Sequence, residues 1–364
     1  MSKRKPETFV TRRNALKLTG ATMAGSALAA PALAAGRIEW RMATSWPKNL
    51  PGPGVTARRI TERIDRMSAG RLKVTLYAAE ELVPALGVFD AVTDGAADMA
   101  HTASFFWQGK LAAAPFFTAV PFGLTPMEHI AWIEHGGGQA LWDRLYAPAG
   151  IKPYMGGNTG YQMGGWYRNE IRSLEDIKGL TIRMPGLGGE VIRRMGATPV
   201  SVPPGQITTA LKLGQINATE FLGPWSDHAM GFYKYAKNYY YPGFHEPNGT
   251  GEALVSLKSL AALPADLRAI VEEAVRAENS YALAESEWQN AGRLRVLTDD
   301  LGVTLRRFPD DVLDAARAAT KEVLATFEAR GGIDAEILAS FKAARERQSL
   351  WGKVSVAAFL AARD

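Results

Sequence analysis

Hydrophobic and polar positions near the start of the chain predict a strand, a helix and a second strand. Residues 37–46 (RIEWRMATSW) alternate with the period of a strand, residues 55–67 have helical spacing, and residues 71–79 alternate again. Residues 88–103 then predict a helix that ends at Gly95 and a short strand. Strands that alternate with helices predict an α/β fold with a mostly parallel sheet, and such sheets bind ligands at the carboxyl ends of their strands.

This rhythm changes twice further along the chain. Residues 151–169 contain clusters of glycine and aromatic residues, and the alternation of strands and helices resumes from Leu174. From Pro264 onward, long segments rich in Ala, Glu, Arg and Leu have helical spacing and predict long helices. The pattern therefore predicts two α/β lobes bridged by a long helix.

The length of the chain agrees with two lobes. It has 364 residues, of which 47% are hydrophobic and 22% charged, and single cores stop growing near ~250–300 residues. We predict that lobe I contains residues 35–158 and about 248–290. Lobe II is predicted to contain residues 159–247 and about 291–364, which include the C-terminal helices.

The first 34 residues are typical of an export signal. They have a basic start, an apolar stretch of small residues and an A-x-A cleavage site at residues 32–34, so a mature chain would begin near Ala35. Residues 11–17 (TRRNALK) resemble a twin-arginine signal, although Ala15 stands where Phe is usual. We predict export to the periplasm by the twin-arginine route, with the general route as the alternative.

The net charge does not indicate a nucleic-acid partner. The formal charge is +5, but the signal segment with its six basic residues and Glu7 accounts for all of it, so the remainder is near neutral. A nucleic-acid-binding protein would keep its positive charge on the folded part. The chain has no cysteine, so disulfide bonds are excluded and stability must come from the core.

Motifs of catalysis are missing from the sequence. None of the five histidines lies in H-E-x-x-H or at another metal-ligand spacing, and there is no G-x-S-x-G or P-loop motif. The glycine-rich segment 185–191 could bind an anion at a helix N-terminus, but its spacing does not fit a dinucleotide fingerprint. A secreted enzyme stays an alternative, because dispersed catalytic residues need not form a motif.

Arg183 occupies a position where a short apolar strand would normally have a hydrophobic residue. It lies two residues before Pro185, so the strand ends there and the side chain is expected at the carboxyl edge of the sheet. Arg183 is either a surface residue or an anchor for an anion, whose carboxylate a guanidinium can bind with two hydrogen bonds.

Three further polar residues lie in unusual surroundings. Gln162 lies among closely spaced glycines, Glu220 between apolar residues before a Gly-Pro break, and Glu246 after three tyrosines and a phenylalanine. Each alone could be an ordinary loop residue. Together they indicate oxygen ligands for a cation.

Five segments of the chain resemble the solute-binding proteins of tripartite ATP-independent periplasmic (TRAP) transporters. The segments are residues 80–92 (EELVPALGVFDAV), 119–124 (AVPFGL), 157–166 (GNTGYQMGGW), 182–200 (IRMPGLGGEVIRRMGATPV) and 239–247 (YYYPGFHEP). The resemblance is closest to the branch that binds 2-oxo acids. It implies a periplasmic binding protein-like fold, in which two α/β lobes are joined by crossing segments and a long helix and close over a solute.

The resemblance also implies the roles of the site residues. Arg183 would bind the carboxylate of the solute. Gln162, Glu220, Glu246 and the backbone carbonyl of Phe221 would hold a metal ion that the solute also contacts, so that Gln162, Phe221 and Glu246 belong to the solute site as well. The metal is expected to be Na⁺, with Ca²⁺ as the alternative, because both accept oxygen ligands.

Two features depart from the branch that the chain resembles. Phe221 stands where the branch commonly has Trp, which leaves the coordinating carbonyl in place but changes the shape of the pocket. Phe105 and Phe106 stand where paired tyrosines are usual, and the loss of their hydroxyl groups indicates a less polar group at that end of the solute.

The function that the resemblance implies is transport rather than catalysis. The protein would capture a small monocarboxylate, either a 2-oxo acid such as pyruvate or a hydroxy acid, and deliver it to a separately encoded TRAP membrane permease. The C-terminal segment 338–364 is amphipathic. It either packs on its own lobe or forms a homodimer.

Overall fold

The structure is a computed structural model that describes residues 36–363. The signal peptide predicted at residues 1–34 lies outside these described residues. Within them, two sheets are flanked by helices, which confirms the predicted α/β fold class.

The strands of the two sheets are short. In chain order they are β1 (Ile38–Thr44), β2 (Leu72–Tyr77), β3 (Met99–Thr102), β4 (Ile151–Asn158), β5 (Gly165–Tyr167), β6 (Thr181–Arg183), β7 (Thr198–Val200), β8 (Ala218–Thr219), β9 (Asn238–Tyr241), β10 (Thr250–Ser256) and β11 (Thr304–Arg307). The first sheet has the order β2–β1–β3–β10–β4, and the second has the order β11–β9–β5–β8–β6–β7.

The helices connect these strands and cover the sheets. In chain order they are α1 (Pro53–Met67), α2 (Val88–Thr93), α3 (Pro126–His135), α4 (Gly138–Tyr146), α5 (Gly186–Arg194), α6 (Ile207–Lys212), α7 (Pro224–Met230), α8 (Leu257–Ala262), α9 (Ala265–Arg295), α10 (Asp310–Arg330), α11 (Gly332–Gly352) and α12 (Ala358–Arg363). Helix α1 shows how the sequence specifies them. It begins with Pro53, which suits the first helical position, and it buries Ala57, Ile60 and Ile64 along one face.

Both sheets are mixed rather than mostly parallel. Strand β1 pairs with β3 in parallel, but β10 lies antiparallel between β3 and β4. In the second sheet β6 is parallel to β7 and β8, whereas β5 is antiparallel to β8 and β9. Strands β5 and β10 each follow a passage of the chain from one sheet to the other. They enter their new sheet without the crossover helix that would make them parallel.

The long helix α9 provides the predicted bridge. Its 31 residues correspond to a length of about 46 Å. It packs against α1 and β4 beside the first sheet and against α7 beside the second. Among the described residues, no helix is both long and apolar enough to cross a membrane.

The C-terminal helices contact elements of both sheets. Helix α10 packs on α5 of the second sheet, and α11 packs on α3 and α4 beside the first. In α11, the ring of Phe341 lies 5.3 Å from that of Trp132 and 5.5 Å from that of Phe116. The boundaries of the two lobes, including the place of residues 291–364 in lobe II, stay a prediction.

A buried carboxyl group in the first sheet makes the stability of the protein depend on pH. Glu252 of β10 is fully buried and accepts hydrogen bonds from the Trp107 indole and from the Tyr146 hydroxyl, the latter at 3.1 Å. Burial raises the pKa of Glu252 to about 8, and the two hydrogen bonds oppose this rise. The folded protein therefore keeps a proton on Glu252 at pH values where the unfolded chain has lost it.

We expect Glu252→Gln to gain stability relative to the parent as the pH rises from about 4.5 to about 8. Over this range the unfolded chain binds fewer protons at Glu252 than the folded protein does, so the parent loses free energy of unfolding with pH and the glutamine variant does not. Urea unfolding of both proteins at pH 5, 6.5 and 8, followed by circular dichroism, measures this difference. A constant difference across the three pH values would contradict the raised pKa.

Candidate functional site

Two neighbouring strand ends of the second sheet bring a buried arginine and a buried glutamate together. Arg183 is the last residue of β6, and Glu220 directly follows β8, whose Thr219 pairs with Arg183 in the parallel ladder. Arg183 Nη1 donates to the Glu220 carbonyl at 3.1 Å and forms an ion pair with the Glu220 carboxylate. Arg183 is only 2% exposed. This excludes the alternative that it is a surface residue, which the sequence had left open.

The guanidinium group of Arg183 retains an unused donor. Its Nε atom is buried and has no hydrogen-bond partner, which is costly unless a ligand supplies an acceptor. The Arg183 guanidinium carbon lies 5.6 Å from the centre of the Phe221 ring, a distance at which a cation and an aromatic face attract each other. The side chain is thus held through Nη1, and its Nε atom has no acceptor within the protein.

The loop between β4 and β5 places Gln162 beside this pair. The loop is held by hydrogen bonds from the Thr159 amide to the Gly249 carbonyl at 2.9 Å and from the Met163 amide to the Leu222 carbonyl at 3.1 Å. Gln162 Nε2 is directed to Thr159 Oγ1 at 3.5 Å, whereas Gln162 Oε1 is buried without a partner. Gly249 permits this approach, because a Cβ atom there would collide with Thr159 and Gln162.

The turn after β9 adds a second buried carboxylate. Glu246 is 4% exposed, and ligand atoms of Glu220, His245 and Glu246 all lie within 4.8 Å of one another. Burial and the neighbouring Glu220 carboxylate raise the pKa of Glu246 well above its usual value, while the Arg183 charge and the Gln162 amide lower it. Two carboxylates this close and this deeply buried need a positive partner if both are to be ionised.

His245 is a member of this cluster that the sequence did not reveal. Its Nε2 atom lies 3.1 Å from Glu220 Oε2, and its Nδ1 atom is buried without a partner. The sequence offered one signal, the adjacency of His245 to Glu246. Its contact with Glu220 joins residues 25 positions apart, which no short spacing motif describes.

A narrow cavity lies beside these polar groups. From the second sheet and its loops, Gln162, Arg183, Phe221 and Leu222 line it, together with residues of the first sheet and its loops. The latter include Trp46, His101, Ala103, Phe105 and Phe106. Phe105 and Phe106, which the sequence predicted to contact the solute, therefore line the same cavity as Arg183.

The residues present fit a hard cation such as Na⁺ or Ca²⁺. The unpartnered Gln162 Oε1 and the carboxylates of Glu220 and Glu246 supply oxygen atoms, the ligands that these ions prefer. The adjoining Phe221 could add its carbonyl oxygen. A bound cation would offset the charge that the two buried carboxylates bring to the site.

The structure has two sheets flanked by helices, which crossing segments and a long helix connect. Residues from both sheets and their loops line the cavity at Arg183. This architecture is that of a two-lobed solute-binding protein. The chain belongs to the DctP family, the bacterial extracellular solute-binding proteins of family 7, whose model matches residues 42–330. This confirms the resemblance to TRAP solute-binding proteins that the sequence segments indicated.

The descriptions of proteins that are similar to this chain agree with its membership of this family. The "Monocarboxylate 2-oxoacid-binding periplasmic protein" of Nostoc sp. is 37% identical over 318 residues, which are 87% of each chain. A TRAP periplasmic solute-binding protein of Pseudoalteromonas atlantica, solved with bound sodium and pyruvate, is 39% identical with a TM-score of 0.87. One of Colwellia psychrerythraea, solved with calcium and pyruvate, is 38% identical with a TM-score of 0.87. Each alignment covers 90% of this chain and 99% of the solved one.

Proposed function

We propose that this protein is a periplasmic receptor that captures a small 2-oxo monocarboxylate such as pyruvate and delivers it to a separately encoded TRAP permease, without catalysing a reaction. The observation that carries this proposal is the buried Arg183, which lines a cavity, has an Nε atom without a partner and lies next to two buried carboxylates and the unpartnered Gln162 Oε1. The relatives solved with pyruvate and a cation support the same assignment.

Arg183 and the metal ligands would divide the binding of the solute between them. The Arg183 guanidinium would bind the solute carboxylate, and Gln162, Glu220, Glu246 and the Phe221 carbonyl would hold the cation. When bound, the cation supplies positive charge to oxygen atoms of the solute. With the solute carboxylate included, a divalent ion makes the site neutral and a monovalent ion leaves one negative charge, and Na⁺ and Ca²⁺ are both proposed because both accept such ligands.

Contacts between the two sides of the cavity connect binding to closure. Phe105 from the first side packs against Gly186, which has a φ of +64°; a Cβ atom at residue 186 would lie 3.0 Å from the Cβ of Phe105. Because Arg183 and Phe105 lie on opposite sides, a solute completes its contacts only when these sides are together. Binding therefore shifts the population toward the closed form that would dock on the permease.

We expect metal-stripped protein to bind pyruvate only when Na⁺ or Ca²⁺ is added. Isothermal calorimetry of the mature protein, with each ion present or absent, measures this dependence, and a dissociation constant near 1 μM would correspond to roughly −8 kcal/mol. Equal binding with and without both ions would remove the metal from the proposal. Consumption of pyruvate in the same samples, followed by NMR, would instead favour a secreted enzyme.

The C-terminal helices support the proposal of a homodimer. Apolar side chains of α11 and α12 are strongly exposed, among them Leu350 and Trp351, each 70%, and Phe359, 66%. We expect light scattering of the mature protein to give twice the mass of one chain, because pairing would bury this surface. A variant with Trp351→Ser and Phe359→Ser should be monomeric, and a monomeric parent would contradict the homodimer.

A further inference from the structure

A buried carboxylate contacts the backbone segment that carries two of the proposed metal ligands. Glu220 and Phe221 belong to the short segment between β8 and α7, and Asp227 lies within α7. Asp227 is fully buried, and its Oδ1 accepts a hydrogen bond from the Leu222 amide at 3.1 Å. The carboxylate is therefore bonded to the peptide group that joins Phe221 to Leu222.

The second oxygen of this carboxylate is held by the core of the second sheet. Asp227 Oδ2 accepts hydrogen bonds from Trp166 Nε1 at 2.9 Å and from the Tyr239 hydroxyl at 2.8 Å. Trp166 of β5 and Tyr239 of β9 lie opposite each other in the antiparallel ladder, and their rings stack with centroids 3.9 Å apart. Both side chains are fully buried. Asp227 thus connects the Leu222 amide to two donors that the sheet keeps in place.

Helix α7, which carries Asp227, is itself held at its N-terminus by the long helix α9. The Oδ1 atom of Asn290 in α9 accepts a hydrogen bond from the Trp225 amide at 3.0 Å. Gly223 makes room for this contact, because a Cβ atom there would lie 2.6 Å from Asn290 Nδ2. The carboxylate of Asp227 is therefore a fixed acceptor rather than one that moves with a loose helix.

Leu222 is held through its carbonyl group as well as through its amide. The carbonyl accepts a hydrogen bond from the Met163 amide at 3.1 Å, and Met163 directly follows Gln162. Since Asp227 holds the amide of the same residue, a displacement of Leu222 would reach both the Phe221 carbonyl and the loop that carries Gln162. Two of the proposed metal ligands thus depend on the placement of Leu222.

The geometry points to Asp227 as a positioning residue for the Phe221 carbonyl. This inference rests on the proposed function, in which that carbonyl holds the cation. The peptide between Phe221 and Leu222 is trans, so its N–H and C=O bonds lie in one plane and point in opposite directions. Because Asp227 fixes the direction of the N–H bond, it also fixes the direction of the carbonyl. Asp227 acts on the cation in this way without contacting it.

The first test is the Ca²⁺ affinity of Asp227→Asn, from calorimetric titration of the metal-stripped mature protein. In asparagine an NH₂ group replaces one oxygen, so either the Leu222 amide or the Trp166 indole faces a donor instead of an acceptor. Partners that orient the ligands of a metal typically change its affinity 10- to 100-fold when they are mutated, and we expect Ca²⁺ binding about 10-fold weaker or more. Burial raises the pKa of Asp227 to about 7, and its hydrogen bonds oppose this rise. The titrations are therefore made at pH 8, where the carboxylate is mostly charged.

Glu252→Gln is the matched control for this test. Glu252 is also a buried carboxylate that accepts hydrogen bonds from a tryptophan and a tyrosine, but it belongs to the first sheet. The variant should keep the Ca²⁺ affinity of the parent whatever its melting temperature. Unchanged Ca²⁺ affinity in Asp227→Asn, or an equal loss in Glu252→Gln, would overturn the positioning role. A parent that binds neither Ca²⁺ nor Na⁺ would overturn the metal site of the proposed function, and the positioning role with it.

A second test observes the Phe221 carbonyl directly. Phenylalanine followed by leucine occurs twice in the chain, at residues 221–222 and 359–360. Labelling phenylalanine with ¹³C at the carbonyl and leucine with ¹⁵N therefore gives two carbonyl–amide correlations in an NMR spectrum. The correlation from residues 359–360 is an internal control, because that pair lies in the C-terminal helix α12 and not at the proposed metal site.

Addition of Ca²⁺ to the parent is expected to move the carbonyl signal of Phe221 and to leave that of Phe359 in place. At saturating Ca²⁺ this displacement should be smaller in Asp227→Asn and parent-like in Glu252→Gln. A merely structural role of Asp227 would lower the melting temperature and leave the displacement at saturation unchanged. If the Phe221 signal does not respond although the parent binds Ca²⁺, the carbonyl is not a ligand. The positioning role would then be wrong, while the capture of pyruvate by Arg183 would be unaffected.

A milder variant covers the case in which Asp227→Asn does not fold. Tyr239→Phe removes one hydrogen bond from the same carboxylate and keeps the aromatic ring. It is expected to weaken Ca²⁺ binding about threefold, in line with the loss of one hydrogen bond. Parent-like Ca²⁺ affinity in a folded Tyr239→Phe would count against the role.

Discussion

Replacing Arg183 with alanine is expected to abolish the capture of pyruvate at micromolar concentrations. Arg183 is buried, lines the cavity, forms an ion pair with Glu220 and has an Nε atom without a partner. Truncating one partner of a buried, hydrogen-bonded charge pair costs about 2–5 kcal/mol, which corresponds to a loss of affinity of roughly 30-fold to several thousandfold. Calorimetry with pyruvate and Ca²⁺ measures this loss.

Two further variants separate the role of the guanidinium from general effects. Arg183→Lys keeps the charge but not the planar fork, so we expect it to bind pyruvate more weakly than the parent. Arg193→Ala removes a well-exposed arginine of α5 and should bind like the parent. If pyruvate affinity in folded Arg183→Ala stays within threefold of the parent, Arg183 does not bind the carboxylate.

Replacing Glu220 with glutamine is expected to weaken Ca²⁺ binding by more than a hundredfold. The Glu220 carboxylate contacts Arg183 and His245 and lies in the cluster with Glu246. Its neutralisation would remove one anionic ligand of the cation and leave the positive charge of Arg183 unbalanced beside the cation, and both changes oppose Ca²⁺ binding. Breaking the buried pair would separately lower the stability of the fold by about 3–5 kcal/mol. Calorimetric titration of metal-stripped protein with Ca²⁺ measures the change.

The comparison for this variant is Glu190→Gln on α5, where the carboxylate pairs with exposed arginines away from the cavity. It should bind Ca²⁺ like the parent. Pyruvate affinity should fall in Glu220→Gln as well, because the cation and the solute are proposed to contact each other. A Glu220→Gln protein that binds Ca²⁺ as tightly as the parent would remove Glu220 from the metal site.

Local periodicity explains why much of the fold could be predicted. The strand and helix periods are properties of neighbouring residues, so α1, β1 and the long helix α9 can be read from the sequence. The directions of β5 and β10 could not, because they depend on how the chain passes between the sheets. This is why mostly parallel sheets were expected and mixed sheets are found.

The residues of the candidate site, like the fold, could be predicted from the sequence only in part. Gln162, Arg183, Glu220 and Glu246 each stood out as a polar residue in an apolar or glycine-rich setting. The structure places them around one cavity or its adjoining cluster, and their roles toward metal and solute stay predictions. His245 had no such signal, because its partner is distant in sequence.

The sequence by itself determined the alternation of strands and helices, the bridging helix, the family and the polar residues that a site could use, since all of these are carried by short segments. Only the tertiary structure decided that the indole of Trp46 is already paired with His101, whereas Gln162 Oε1 and Arg183 Nε have no partner within the protein. Hydrogen bonding between distant segments is decided by packing, so no short stretch of the sequence could show which polar atoms around this cavity lack a partner within the protein.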